Sequence, residues 1–192
     1  MKKILICTAA ALTALAVPTA ALAQARAAIL IVDSERVLSD CTACKSAGTQ
    51  LQSKQAALRT RAQQLQTQLQ SEGKPIQAAV DALNGKDPDA ALTARIKAFQ
   101  TKEQGAQQEL QTGQRTLEST AAHVQQQIGA KVITIVEQVR ASRGASIVLA
   151  KNSTMANDGA IDVTTDVLTA LNQQLPAVSV TPLPQQTAPQ GR

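Results

Sequence analysis

The sequence predicts a mainly α-helical protein with a small β body, in which a long antiparallel α-helical hairpin stands on a short base of strands and helix. Three observations predict it. Asn84-Gly85-Lys86-Asp87-Pro88 places a helix stop beside a helix start. Two long polar segments on either side carry apolar residues at heptad spacing. Short β-branched runs lie outside both of them, at Ile29–Val32 and Ile147–Leu149.

The turn comes first because it sets the rest. Gly85 suits the left-handed conformation that closes a helix, with Asn84 beside it. Asp87 is placed to accept hydrogen bonds from the first N–H groups of a new helix, and Pro88 suits its first position. A stop and a start this close make an αα-hairpin.

The outgoing arm runs from about Lys45 to Leu83. Leu51, Leu58 and Leu65 recur every seven residues, and Ala62, Leu69, Ile76 and Leu83 form a companion series. Together they make an a/d seam. Gly73-Lys74-Pro75 predicts a kink or short break, since proline removes a helix hydrogen bond and restricts the residue before it. The return arm, Pro88 to Arg143, carries Leu92, Phe99 and Ala106 in one series and Ile96, Leu110, Leu117 and Val124 in the other. Gln55, Glu72, Glu103 and Gly113 interrupt the seams, which are therefore thin. Arg140, Arg143 and Gly144 supply the cations and the glycine that end a helix.

The base is expected from residues 27–44 and 144–175. Ala27 to Asp33 reads as a buried strand, followed by a short helix from Ser34 and an interruption at Gly48. Ser146 to Ala150 reads as a second strand, Asn157-Asp158-Gly159 as a turn, and Val163 to Gln174 as a last amphipathic helix capped by Asp162. Residues 176–192, rich in Pro and Gln, read as a disordered tail. Two short strands and one helix bury too little for independent stability, so base elements of several chains are expected to pack together. Ile29, Ile31, Ile147, Leu149, Val167 and Leu171 are the candidates for that contact.

Residues 1–23 read as an export signal: Lys2 and Lys3, then the apolar run Ile4–Val17, then Ala21-Leu22-Ala23 before the cleavage point. The run is too short for a membrane anchor, and Cys7 leaves with it. Removing Lys2 and Lys3 takes the formal charge from +5 to +3. Between Lys45 and Arg143 there are thirteen basic and eight acidic residues, so the positive charge sits on the arms. Phe99 is the one aromatic residue of the chain. Aromatics dominate burial in ordinary cores, so a compact monomeric globule is not expected.

With Ile29-Leu30-Ile31-Val32-Asp33, Ile147-Val148-Leu149 and Ala160-Ile161-Asp162-Val163-Thr164-Thr165-Asp166-Val167-Leu168 in place, the chain resembles the OmpH/Skp family of periplasmic chaperones. The resemblance spans residues 27–175. It implies a jellyfish-like homotrimer in the periplasm, with helical tentacles around a cavity. It implies a holdase that keeps unfolded outer-membrane β-barrel proteins soluble without ATP. No cofactor and no nucleic-acid partner are expected. The arms are less basic than the family pattern, so contact with lipopolysaccharide or a membrane surface is not carried over.

Candidate residues follow. A holdase needs shallow, adaptable apolar contacts. Val80, Leu83, Leu92, Ile96 and Phe99, near the tip, are candidates for client binding, and equally for zipping the two arms together. Lys54, Arg59, Arg61, Arg95, Lys97 and Lys102 are candidates for steering acidic unfolded chains. Cys41-Thr42-Ala43-Cys44 is read as a local disulfide, as two small buried residues, or as a thiol oxidoreductase motif, although the βαβ setting of such motifs is missing. Two thiols alone do not close a zinc site, so no metal is expected. His123 reads as a solvated helix histidine with a pH-sensing role open. No residues are placed for catalysis by any local motif. The alternative function is a coiled-coil scaffold of the envelope that binds one folded partner.

Overall fold

The fold is that of a computed structural model describing residues 28–183. Residues 1–27, where the export signal is expected, and residues 184–192 of the tail lie outside the described residues. The element order is β1 (Ile29–Val32), α1 (Ser34–Asp40), α2 (Thr42–Asp81), α3 (Ala90–Ser142), β2 (Ile147–Ala150), two short 3-10 turns and α4 (Thr164–Gln174).

β1 and β2 pair in parallel, Ile29 with Ile147 through to Val32 with Ala150. The connection between them is the whole of α1, α2 and α3. Parallel strands need a long crossover, and here that crossover is the pair of arms. The other side of β1 is used as well: Val163 N–H donates to Ile31 O at 2.9 Å. Asp33 caps α1 by accepting from Arg36 N–H at 2.9 Å. Cys41 ends α1 and begins α2, and its non-helical backbone makes the corner between them. Gly48 does not interrupt α2, because the helix has already begun at Thr42.

The core sits at the base. Val37, Cys41, Ile135, Val167 and Leu171 are fully buried there, joined by Leu30, Val32, Ala43, Ala145 and Val163. Ile31 is also buried. A polar network fixes the entry to α4. Thr164 Oγ1 accepts from Asp33 N–H at 2.9 Å, and Asp162 Oδ1 accepts from Thr164 N–H at 2.9 Å. Asp162 therefore bonds into the first turn as expected, although the helix proper begins after Val163. Hydrogen bonding from the Thr164 side chain and then from its N–H, with Lys151 alongside, holds the Asp162 carboxyl well below the usual carboxylate range, at about 2. Asn172 Oδ1 accepts from Thr42 N–H at 2.9 Å and ties α4 to the foot of α2.

Three expectations are corrected in the arms and beyond. α2 is one unbroken helix of 40 residues with Pro75 inside it. The hydrogen bond that proline removes costs about 3 kcal/mol in isolation; on either side of it, Glu72 pairs with Lys102 of α3 and Ile76 lines a groove shared with α3. Asp89, not Asp87, caps α3, accepting from Leu92 N–H at 2.7 Å, so Pro88 lies before the helix. The turn itself uses left-handed backbone at both Asn84 and Gly85. Finally, residues 176–183, expected to be disordered, lie along α3. Val178 and Val180 pack on the Ala47, Val124 and Ile128 cluster, and their neighbours hydrogen-bond to α3 side chains.

Candidate functional site

α3 is 53 residues long, roughly 80 Å at the helical rise. α2 and α3 meet in reverse order along their length: Leu58 with Gly113, Arg61 with Glu109, Glu72 with Lys102, Gly73 with Phe99. Every residue of the two apolar series is buried or half-buried. Two of the apparent interruptions are sockets. A Cβ on Gly73 would stand 3.0 Å from Phe99 Cζ, and one on Gly113 would stand 2.6 Å from Leu58 Cδ1. Glycine at these positions lets a large residue of the opposite arm come close. The Gly of Gly73-Lys74-Pro75, which reads as a helix breaker in the sequence, is the seat of the single aromatic ring.

Shallow grooves follow one another along this seam and open to solvent. One of about 370 Å³ is lined by Leu65, Leu69, Phe99, Ala106 and Leu110. Another of about 630 Å³ is lined by Leu58, Ala62, Leu110 and polar residues of both arms, Arg59, Gln111 and Arg115 among them. Their floors are apolar; the first is rimmed by Gln66, Gln70, Gln107 and Glu103, the second by Gln, Arg and Glu118. Neither encloses a small molecule or converges catalytic groups. Among the described residues no cluster of three or more metal-ligating side chains occurs. No helix there is long and apolar enough to cross a membrane.

The structure sorts the residues singled out in the sequence. Of the tip set, Leu92 is buried between the arms. Leu83, Ile96 and Phe99 are half-buried, and Val80 is exposed. Of the six steering cations, two are taken by cross-ties. Arg61 forks onto Glu109 at 2.6 and 3.1 Å, and Lys102 reaches Glu72 at 2.5 Å. Hydrogen bonding to Arg61 lowers the Glu109 pKa from its ordinary value. Lys54, Arg59, Arg95 and Lys97 make no ion pair among the described residues.

The base set divides too. Ile31, Val167 and Leu171 are buried within the single chain. Leu149 is half-buried. Ile29 and Ile147 face each other across the sheet and are 43% and 44% exposed. Leu38, Ile133, Met155 and Leu183 are further exposed apolar residues outside that set. Ile133 is hard to find by periodicity because it sits directly beside the inward stripe of half-buried Val132, buried Ile135 and half-buried Val139. Cys41 and Cys44 form a disulfide, with Cys41 fully buried in the base. His123, expected to be solvated, is half-buried and lies 2.9 Å from Thr181 O.

The family described as outer membrane protein (OmpH-like) matches residues 28–171, from the start of the described base to the third turn of α4. The chain belongs to the OmpH-like family. The OmpH-like fold is also found in a crystal structure, that of a candidate outer membrane chaperone (OmpH-like) from Caulobacter crescentus CB15. The two superpose with a TM-score of 0.69 at 20% sequence identity, over 85% of this chain and 95% of that one. At that identity the likeness concerns the fold. No curated protein matches the chain. The OmpH-like match ends at 171, so residues 172–183 lie beyond it.

Proposed function

We propose that this OmpH-like protein is a periplasmic, ATP-independent holdase that keeps unfolded outer-membrane β-barrel proteins from aggregating. It works as a homotrimer whose arms surround the client. The observation that carries the reading is the pair of open, apolar-floored grooves along a thin seam. Such surfaces take many sequences weakly, and weak contacts release without fuel. Exposed Val80 and half-covered Leu83, Ile96 and Phe99 present apolar surface towards the tip and serve as client contacts; Leu92 mainly holds the arms together. Lys54, Arg59, Arg95 and Lys97 attract acidic unfolded segments at long range. That steering weakens in about 1 M salt, where screening shortens to about 3 Å.

A trimer is favoured by the base. Two four-residue strands give little core of their own. Ile29 and Ile147 stand exposed as a pair, and the outer edge of β2 has no partner strand among the described residues. Native mass spectrometry of the mature protein tests the reading, alone and after a urea-unfolded outer-membrane barrel is diluted into it. A trimer that takes up one barrel chain is expected. An oligomer of another size that ignores the barrel contradicts it. Phe99→Ala is expected to weaken client holding more than assembly; equal losses would remove Phe99 from the contact surface.

A second reading gains from one observation. The unbroken α2 and the two cross-tied ion pairs stiffen the hairpin beyond what the sequence suggests. A stiff prong suits an envelope scaffold that binds one folded partner, and the barrel experiment separates the two.

A further inference from the structure

The segment after α4 is held to α3 in an unusual way. Gln127 grips both polar groups of one residue: its Oε1 accepts from Ser179 N–H at 2.9 Å, and its Nε2 donates to Ser179 O at 3.0 Å. His123 Nδ1 donates to Thr181 O at 2.9 Å, in the tautomer that carries its proton there. Ser119 Oγ accepts from Leu183 N–H at 3.2 Å. The bonded residues step by two along the segment and by four along α3. Two extended residues span about 6.6 Å, and four helical residues rise about 6 Å. The two periods match, so one row of side chains on α3 reads an extended backbone rung by rung.

The bonds go to main-chain atoms, which every polypeptide carries. Side-chain selection is slight: Val178 and Val180 rest on the small apolar patch of Ala47, Val124 and Ile128. The row does not stop at Ser119. Four-residue steps towards the tip reach Arg115, Gln111 and Gln107, all able to donate hydrogen bonds. Pro182 reaches a groove of about 370 Å³ that continues between the arms past Leu58, Arg61, Thr112 and Thr116.

We propose that this row of α3, with Ser119, His123 and Gln127 at its centre, is a binding site for extended polypeptide backbone. The chain's own residues 178–183 occupy it as a tethered competitor, and an unfolded client displaces them. The inference rests on the holdase reading and gives it a site, one that lies nearer the base than the tip residues do. A tether as short as the one from α4 gives the strap a high effective concentration, so only segments that engage several rungs displace it. The strap is thereby a threshold against short or folded polypeptides.

The test uses the full mature chain and a fluorescent peptide of residues 177–183. Val178→Asp/Val180→Asp releases the strap. The released variant is expected to bind the peptide severalfold more tightly than the unaltered chain. A peptide N-methylated at the Ser179 amide is expected to lose that binding, because the Gln127 rung is gone. A urea-unfolded barrel diluted in is expected to displace the peptide. A second measurement needs no variant: amide exchange at Ser179 and Leu183 in the unaltered chain, slow alone, is expected to quicken when the barrel is bound. Equal peptide binding by both chains, or binding indifferent to N-methylation, overturns the backbone site. A barrel that is held while the peptide stays bound and the two amides stay protected overturns the competition and leaves the holdase standing. Peptide binding as expected with no barrel held leaves the backbone site standing and removes the holdase.

Discussion

The base and the arms are made of similar residues and behave as different materials. At the base, α1, α4, both strands and the last turns of α3 converge, and Val37, Ile135, Val167 and Leu171 lose all contact with water. Along the arms beyond the strap, two helices meet alone. Between Leu51 and Leu117 the seam buries only Leu65, Leu92 and Ala106, none of them fully, and its other apolar residues stay half-covered. A residue enclosed by several elements is fixed, whereas one held between two helices can shift towards solvent or towards a bound chain. The comparison teaches where stability and adaptability are kept apart in this fold.

The largest effect that tests the contrast is a cavity. Leu171→Ala is expected to destabilise the base by about 2–5 kcal/mol. Leu65→Ala in the arm is expected at or below the low end of that range, since two helices can close over the gap. Urea unfolding of both variants measures the difference, and equal losses would erase the distinction.

Next in size is an acid effect confined to the base. The folded Asp162 carboxyl, at about 2, binds a proton less readily than in the unfolded chain. Its contribution is therefore complete above about pH 4 and is lost as the pH falls towards 2. It is on the order of 1 kcal/mol once solvent screening is allowed for. Asp162→Asn is expected to flatten the stability-versus-pH curve in that window. A curve of unchanged slope would mean that the hydrogen bonds from Thr164 do not depend on the charge.

The smallest test is in the arms. A methyl on Gly105 meets nothing within 4 Å, whereas one on Gly113 meets Leu58. Gly105→Ala is expected to stabilise by up to about 1 kcal/mol through helix propensity, and Gly113→Ala by less, because Leu58 must move. Thermal unfolding that ranks them the other way would show that the seam is not seated on Gly113.

The sequence made the strands, the hairpin turn and both heptad series legible, because each rests on local periodicity or on turn chemistry. What it concealed depended on partners far away in the chain. Pro75 reads as a break only while α3 is out of view. Gly73 reads as part of a kink and Gly113 as a gap until Phe99 and Leu58 are placed opposite them. The strap was hidden by its Pro and Gln content, although Val178 and Val180 alternate as a strand would. Its bonds run from its backbone to side chains 52 or more residues earlier, a pairing no local pattern announces. Ile31, Val167 and Leu171 were legible as apolar base residues; that one chain buries them by itself was not.

The central claim is that the arms and strap yield to a client while the base holds firm. Hydrogen-exchange mass spectrometry on the mature protein, with and without a urea-unfolded outer-membrane barrel, addresses it directly. The account predicts that the client slows exchange along the middle of α2 and α3, quickens it at Ser179 and Leu183, and leaves β1, β2 and α4 unchanged. Changes confined to the base, with the arms and strap indifferent to the client, would contradict it.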